Sequence, residues 1–307
     1  LKTFLDCIPC FYRQALEAAR LAGATEENQK LILDELAAVL PSLPMSSSPP
    51  EIAISIYSIV NRVTGKDDPY RELKDRSTDL ALKIYGRLKT IVKKSGEPLK
   101  TAVRMAILGN IIDYGTQYSF SLEDELENII SFSENSGDGI NYAVFDFSDF
   151  QQKLEKSKTL LYLADNAGET VFDRILIETI KEIYPGLGVF YAVKEKPVIN
   201  DAVMADAERA GISVCARILS SGSCAPGTLL SLCSPEFLKI FENADTVISK
   251  GQGNFEVLND AEKAIFFMFK AKCAVVARDI GCDIGDAILF YKQDGGALPP
   301  RENEKRR

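Results

Sequence analysis

The chain has 307 residues, enough for two domains at roughly 150 residues each, and its 46% hydrophobic and 26% charged residues are an ordinary globular composition. Thirty-six basic residues against 44 acidic ones give a net charge of -8, so the basic footprint of a phosphate-backbone binder is missing and nucleic acid is not an expected partner. The absence of histidine removes Ser-His-Asp and Cys-His nucleophiles, the HExxH zinc site and any imidazole base. Carboxylates, lysine, cysteine or a metal held mainly by oxygen remain.

From Phe11 to about Gln117 apolar residues recur at intervals of three and four, as at Ile32, Leu36, Val39 and Leu40, or Leu80, Ile84, Leu88 and Ile91, which predicts at least five packed helices. Gly23, Ala24 and Thr25 mark a stop and a new cap, and the MSSSPP run at Met45 to Pro50 is a loop leading into the next helix. Ser133 to Gly139 is a turn-rich connector. Beyond it, short apolar runs alternate with helical stretches, the signature of a parallel α/β sheet.

The predicted strands are Thr159 to Ala164, Gly188 to Val193, Val214 to Leu219, Asp245 to Ser249, Ala264 to Phe269 and Ala287 to Tyr291, with helices at Thr170 to Tyr184 and Asp201 to Ala210. The expected fold class is therefore α/β: an N-terminal helical region packed on a C-terminal Rossmann-like domain with a mostly parallel sheet. The predicted division is a helical domain over residues 1–132 and an α/β domain over 133–307 carrying the site, with a frayed polar tail from Gly295. Seven cysteines, an odd number spread along the chain, do not resemble a secreted disulfide framework. No stretch reaches about 18 apolar residues, and Leu1 to Pro9 lacks an apolar signal core. The expectation is a cytoplasmic protein with no membrane partner.

In open parallel sheets, ligands bind outside the carboxyl ends of the strands. There the sequence places Asp165-Asn166-Ala167-Gly168-Glu169, then Lys194, then Ser220-Ser221-Gly222-Ser223, then Lys250-Gly251-Gln252-Gly253-Asn254. Asp165 and Asn166 offer oxygens to a hard divalent cation, or cap the helix near Thr170. Asp201 is a third oxygen ligand or another cap. Lys250 with Gly251 and Gly253 suits a phosphate cradle or a glycine turn. Lys194 reads as a solvated charge, and the Ser220 to Ser223 loop either adds donors or is an ordinary loop. Asn110 and Asp113 share a helix face, as solvated polar residues or as a second wall of the crevice. Cys7 and Cys10 fit a redox pair, half of a metal site or two buried thiols.

Together, DNAGE at Asp165 to Glu169, the VIND segment ending at Asp201, KGQGNFE at Lys250 to Glu256, GNxxD at Gly109 to Asp113 and CxPC at Cys7 to Cys10 resemble the damage-control phosphatase family, long catalogued as domain of unknown function eighty-nine, in its CxxC-bearing microbial branch. The resemblance spans nearly the whole chain, and KGQGNFE is its most specific motif. It implies hydrolysis of phosphate esters of small metabolites, sugar phosphates or damaged phosphometabolites, with a divalent metal; oxygen ligands without imidazole favour Mg²⁺ or Mn²⁺, with Co²⁺ or Ni²⁺ also able to serve. By position it implies metal ligands at Asp165, Asn166 and Asp201 and a phosphate-binding lysine at Lys250.

The expected mechanism is attack by a metal-activated water, with Asp165, Glu169 and Lys250 catalytic, and a covalent route through Asp165 stays open. Lys194, Ser220, Ser221, Gly222, Gly251, Asn254, Asn110 and Asp113 would contribute to phosphate or substrate binding, and Cys7 and Cys10 to a second metal or redox site. The main alternative is a non-catalytic metal- or sugar-phosphate-binding protein. A dinucleotide oxidoreductase is disfavoured, because the G-x-G pairs at Gly137, Gly186 and Gly251 lack the third glycine.

Overall fold

The computed structural model describes residues 1–109 and 141–295; Asn110, Asp113, the Ser133 to Gly139 connector and the tail beyond 295 lie outside the described residues. Five helices come first: α1 (Cys7–Leu21), α2 (Glu26–Val39), α3 (Pro49–Thr64), α4 (Arg71–Lys94) and α5 (Pro98–Leu108). Their starts follow from local chemistry. The Thr25 hydroxyl accepts the Asn28 N–H at 3.3 Å, while α3 begins with proline and the Glu51 carboxylate accepts the Ser48 N–H at 2.6 Å.

The second half alternates strands and helices: β1 (Tyr142–Phe145), α6 (Phe147–Lys156), β2 (Thr159–Leu163), α7 (Thr170–Ile183), β3 (Gly188–Val193), α8 (Met204–Arg209), β4 (Arg217–Ser220), α9 (Pro235–Asn243), β5 (Thr246–Lys250), α10 (Gln252–Leu258), β6 (Ile265–Lys270), α11 (Ala274–Ile280) and β7 (Ala287–Lys292). They form a seven-stranded sheet in the order β1-β7-β6-β5-β2-β3-β4. β6, β5, β2, β3 and β4 run parallel, β7 is antiparallel to β6, and β1 is parallel to β7. The strand order reverses between β2 and β5, the topological switch point at which such sheets bind ligands.

Side chains alternate across β2 as the pleat requires. Leu160 and Tyr162 enter a core shared with α4, α5 and α7, whereas Leu161 and Leu163 enter one shared with α9, α10 and α11. Helices α4 and α5 thus belong to the packing of the sheet itself. A third apolar cluster, with Phe11, Ala15, Leu36, Ile56 and Val60, ties α1, α2 and α3 together and takes in Val198. That places this helical unit against the segment just before Asp201.

Two predicted elements differ. The run Val214 to Leu219 is broken because Gly211, at φ 80°, starts a 3-10 turn at Ile212–Val214, and β4 begins only at Arg217. The helix expected from Asp201 begins at Met204, which frees Asp201 from any capping role.

Candidate active site

Asp165 follows β2 and Gly251 follows β5, so both stand at the switch point. The backbone after β2 is stitched to the VIND segment: Ala202 N–H donates to the Asp165 carbonyl at 2.8 Å, Ala167 N–H donates to the Asn200 carbonyl at 2.9 Å, and Asn166 and Asp201 form an isolated antiparallel bridge. Residues paired in a bridge carry their side chains side by side. Ile199, just upstream, has φ 47°, a rare conformation for a β-branched residue that costs on the order of 1–3 kcal/mol. The surrounding hydrogen bonds hold this strain where it aims Asn200 and Asp201 into the crevice.

Asn166 occupies the cap position of the turn Ala167–Glu169, yet its side chain makes no capping bond. Its Nδ2 donates instead to Glu169 Oε1 at 2.8 Å and to Asp165 Oδ2 at 3.3 Å. With the amide nitrogen turned to the carboxylates, the amide oxygen is the atom left for a ligand. Gly251 sits at φ 82°, and a Cβ there would fall on the Asp165 carboxylate. Only glycine allows that approach.

Gly251→Ala is therefore expected to displace the Asp165 carboxylate by about 1 Å and lower turnover about 100-fold. The positive φ should add a loss of about 1–2 kcal/mol in stability. Steady-state kinetics on the purified variant test this; parent-like kcat would contradict the contact.

Asp165, Asn166, Asn200 and Asp201 line one cleft of about 320 Å³. Its opposite wall comes from α1 and α3, through Cys7, Cys10, Phe11 and Tyr57, with Tyr70, Gln252, Glu256, Lys272 and Cys273 completing it. Lys194 is buried beyond β3, with its ammonium 3.6 Å from Asp201 Oδ2.

Lys250 points away from the cleft. Its fully buried ammonium lies between Glu169 Oε2 at 2.8 Å and Asp173 Oδ1 at 2.9 Å. Asp173 also accepts the hydroxyls of Tyr162 at 2.6 Å and Tyr191 at 2.7 Å. Burial disfavours the ammonium, but Asp173 and Glu169 outweigh it and hold the Lys250 pKa above the ordinary lysine value. Burial likewise pushes both tyrosines well up, so they serve as neutral donors. The chain Tyr162/Tyr191, Asp173, Lys250, Glu169, Asn166 is a continuous buried support behind the cleft.

Among the described residues, Asn254 and the Ser220 to Ser223 loop are neighbours of the cleft rather than its lining. The Asn254 amide donates to the carbonyls of Ala164 at 3.0 Å and Lys250 at 2.7 Å and accepts the Thr228 hydroxyl at 2.8 Å, clamping the ends of β2 and β5 together. The Ser220 hydroxyl bonds to Glu195 and accepts Gly222 N–H, and Ser221 accepts Ser223 N–H, so this loop is held by its own turns. Asp173, Tyr162 and Tyr191, and the wall residues Phe11 and Tyr57, are site residues that the sequence reading does not single out. The signal available was Glu169 and Asp173 at i and i+4 on an otherwise apolar helix face.

Burial raises the Glu256 carboxyl to about 7 against the bond it accepts from Gln252. Between its ordinary 4.5 and about 7 the native state binds more protons than the unfolded chain, so stability falls as pH rises through that window. In chelator-treated protein, Glu256→Gln should flatten that decline and gain on the order of 3 kcal/mol at pH 8. Urea unfolding across pH reads this out; an unchanged slope would contradict it.

For a cation, the donor chemistry fits. Two carboxylates and an amide oxygen from Asp165, Asp201 and Asn166 are hard ligands, and three protein oxygens leave room for water and a phosphate oxygen, as Mg²⁺ sites favour. Among the described residues no group of three His, Cys, Asp or Glu side chains is arranged to hold a metal, so any site here depends on the Asn166 oxygen. No helix among the described residues is long and apolar enough to cross a membrane.

Comparison with known proteins agrees with this architecture. The chain is 34% identical over 293 residues to a damage-control phosphatase of Pyrococcus horikoshii, covering 94% of this chain and 98% of that protein. It is 34% identical over 289 residues to a damage-control phosphatase of Archaeoglobus fulgidus, covering 92% and 96%. An uncharacterized protein of Methanocaldococcus jannaschii is 34% identical over 294 residues, with 94% of each chain covered. The crystal structure of a DUF89 family protein from Pyrococcus horikoshii superposes with a TM-score of 0.84 at 32% identity, covering 94% of this chain and 99% of that one. The profile of the damage-control phosphatase ARMT1-like domain matches residues 3–288, and the chain belongs to that family.

Proposed function

We propose that this protein is a divalent-metal-dependent phosphatase that hydrolyses phosphate esters of small metabolites, sugar phosphates or damaged phosphometabolites, in the cleft at the switch point. The observation that carries the reading is the bridge between Asn166 and Asp201, which sets both side chains beside Asp165. The names of the relatives support the reaction class.

Asp165, Asn166 and Asp201 would hold the cation, Mg²⁺, Mn²⁺, Co²⁺ or Ni²⁺ by their oxygen chemistry. When bound, it supplies Lewis-acid neutralisation of phosphoryl charge and activation of water. The chain's own residues orient and enclose. Glu169 fixes the Asn166 amide, and Lys250 fixes Glu169 from behind. The wall of Phe11, Tyr57, Tyr70 and Ile199 excludes water from one side of a bound ester and meets its organic part. The cleft volume suits a metabolite rather than a polymer.

The test is phosphate release from sugar phosphates and a generic aryl phosphate after chelation and return of single metals. Release restored by at least one of the four metals is expected. If none restores it, the reading falls and the cleft is a binding site without turnover.

A further inference from the structure

Three thiols line the cleft, Cys7 and Cys10 from the first turn of α1 and Cys273 from the cap of α11, and the proposed phosphatase chemistry uses none of them. Cys7 and Cys10 stand at i and i+3, one face of the helix. Helix geometry sets Cα atoms at that spacing about 5 Å apart, inside the roughly 4.4–6.8 Å window that a disulfide spans.

The two sulfurs differ in their surroundings. Cys10 Sγ accepts from Gln14 Nε2 at 3.3 Å and from Arg13 Nη2 at 3.7 Å. The Tyr57 hydroxyl donates to Gln14 Oε1 at 3.5 Å, which turns the amide N–H toward the sulfur. An exposed guanidinium and an oriented amide N–H thus both point at the half-buried Cys10 sulfur. Cys7 meets the Phe4 backbone instead, and burial outweighs that bond and raises its thiol pKa. A metal centre built on these thiols is disfavoured, since no group of three Cys, Asp, Glu or His ligands converges among the described residues.

We infer that Cys7 and Cys10 form a dithiol site at the cleft wall that exchanges with low-molecular-weight disulfides, Cys10 attacking and Cys7 resolving. The Cys10 thiolate attacks one sulfur of the disulfide RSSR, forming a mixed disulfide and releasing one thiolate, which takes up the proton lost by Cys10. The Cys7 sulfur then attacks Cys10 Sγ, its proton leaving with the second RSH. Two protein thiols are oxidised to a Cys7–Cys10 disulfide, and RSSR is reduced to two RSH. This inference does not rest on the phosphatase reading, because its readouts are thiols and peptide masses.

The experiment exposes the native full chain to glutathione disulfide at neutral pH, then alkylates free thiols and maps peptides by mass. The expected result is an oxidised peptide joining Cys7 and Cys10, reversed by dithiothreitol, while the buried Cys215 stays reduced. Cys7→Ser should accumulate one glutathione on Cys10, and Arg13→Met, a change at an exposed side chain, should slow that adduct about three- to tenfold. The inference is overturned if Cys7→Ser carries no glutathione on Cys10, if Arg13→Met leaves the rate unchanged, or if the exposed Cys224 reacts while Cys7 and Cys10 remain reduced.

Discussion

Asp165→Ala is expected to lose metal-dependent phosphate release by about 1,000-fold or more, the several kcal/mol that a cation contributes to a phosphoryl transition state. The loss should be one of chemistry rather than folding. The Asp165 carbonyl accepts Ala202 N–H at 2.8 Å, a bond that survives the substitution. The carboxylate itself lies half-buried against Gly251 and accepts the Asn166 amide N–H at 3.3 Å. Circular dichroism and urea unfolding should remain near the parent, within about 1–2 kcal/mol. A folded Asp165→Ala protein with full turnover would remove the cleft as the site.

Lys250→Met should act through stability. The substitution leaves two carboxylates, Glu169 and Asp173, at 0% and 1% side-chain exposure without their shared cation. Breaking one side of a buried ion pair costs about 3–5 kcal/mol, because the remaining charge has neither water nor a partner. Urea unfolding should show that loss as a lower midpoint at similar slope. Asp173→Asn in the Lys250→Met background should recover part of it, since the amide still accepts from a tyrosine without bringing a charge. If Lys250→Met unfolds like the parent and only KM for phosphate esters rises, the ammonium meets substrate directly and the buried support is not its role.

The central strands were legible because each is a short apolar run bounded by polar punctuation. Gly188–Val193 matches residue for residue, and Thr159, Ala287 and the β5 and β6 runs lie within a residue or two. β1 escaped notice as a four-residue edge strand with only partly buried side chains, too short for an alternation signal. The reversed direction of β7 was equally invisible, since an apolar run is the same read either way.

At the site, position was legible and direction was not. The strand-end rule located Asp165, Asn166, Lys194 and Lys250, but it could not say that Lys250 turns inward. That depends on Glu169 and Asp173 arriving from the next helix, a contact across 81 and 77 residues. The wall from α1 and α3 joins residues more than a hundred positions from Asp165, and no local pattern marks such an encounter. The pairing of Asn166 with Asp201 was hidden for the same reason, although Pro197 just ahead of the VIND segment marks the start of the predicted helix.

The most direct test of the account is a calorimetric titration of Mn²⁺ into chelator-treated protein, run beside phosphate release at the same metal concentrations, for the parent and Asp165→Ala. The account predicts one Mn²⁺ site in the parent, filled over the same range that restores release, and the loss of both in the variant. Undiminished Mn²⁺ binding by Asp165→Ala, or release that proceeds without metal, would contradict it.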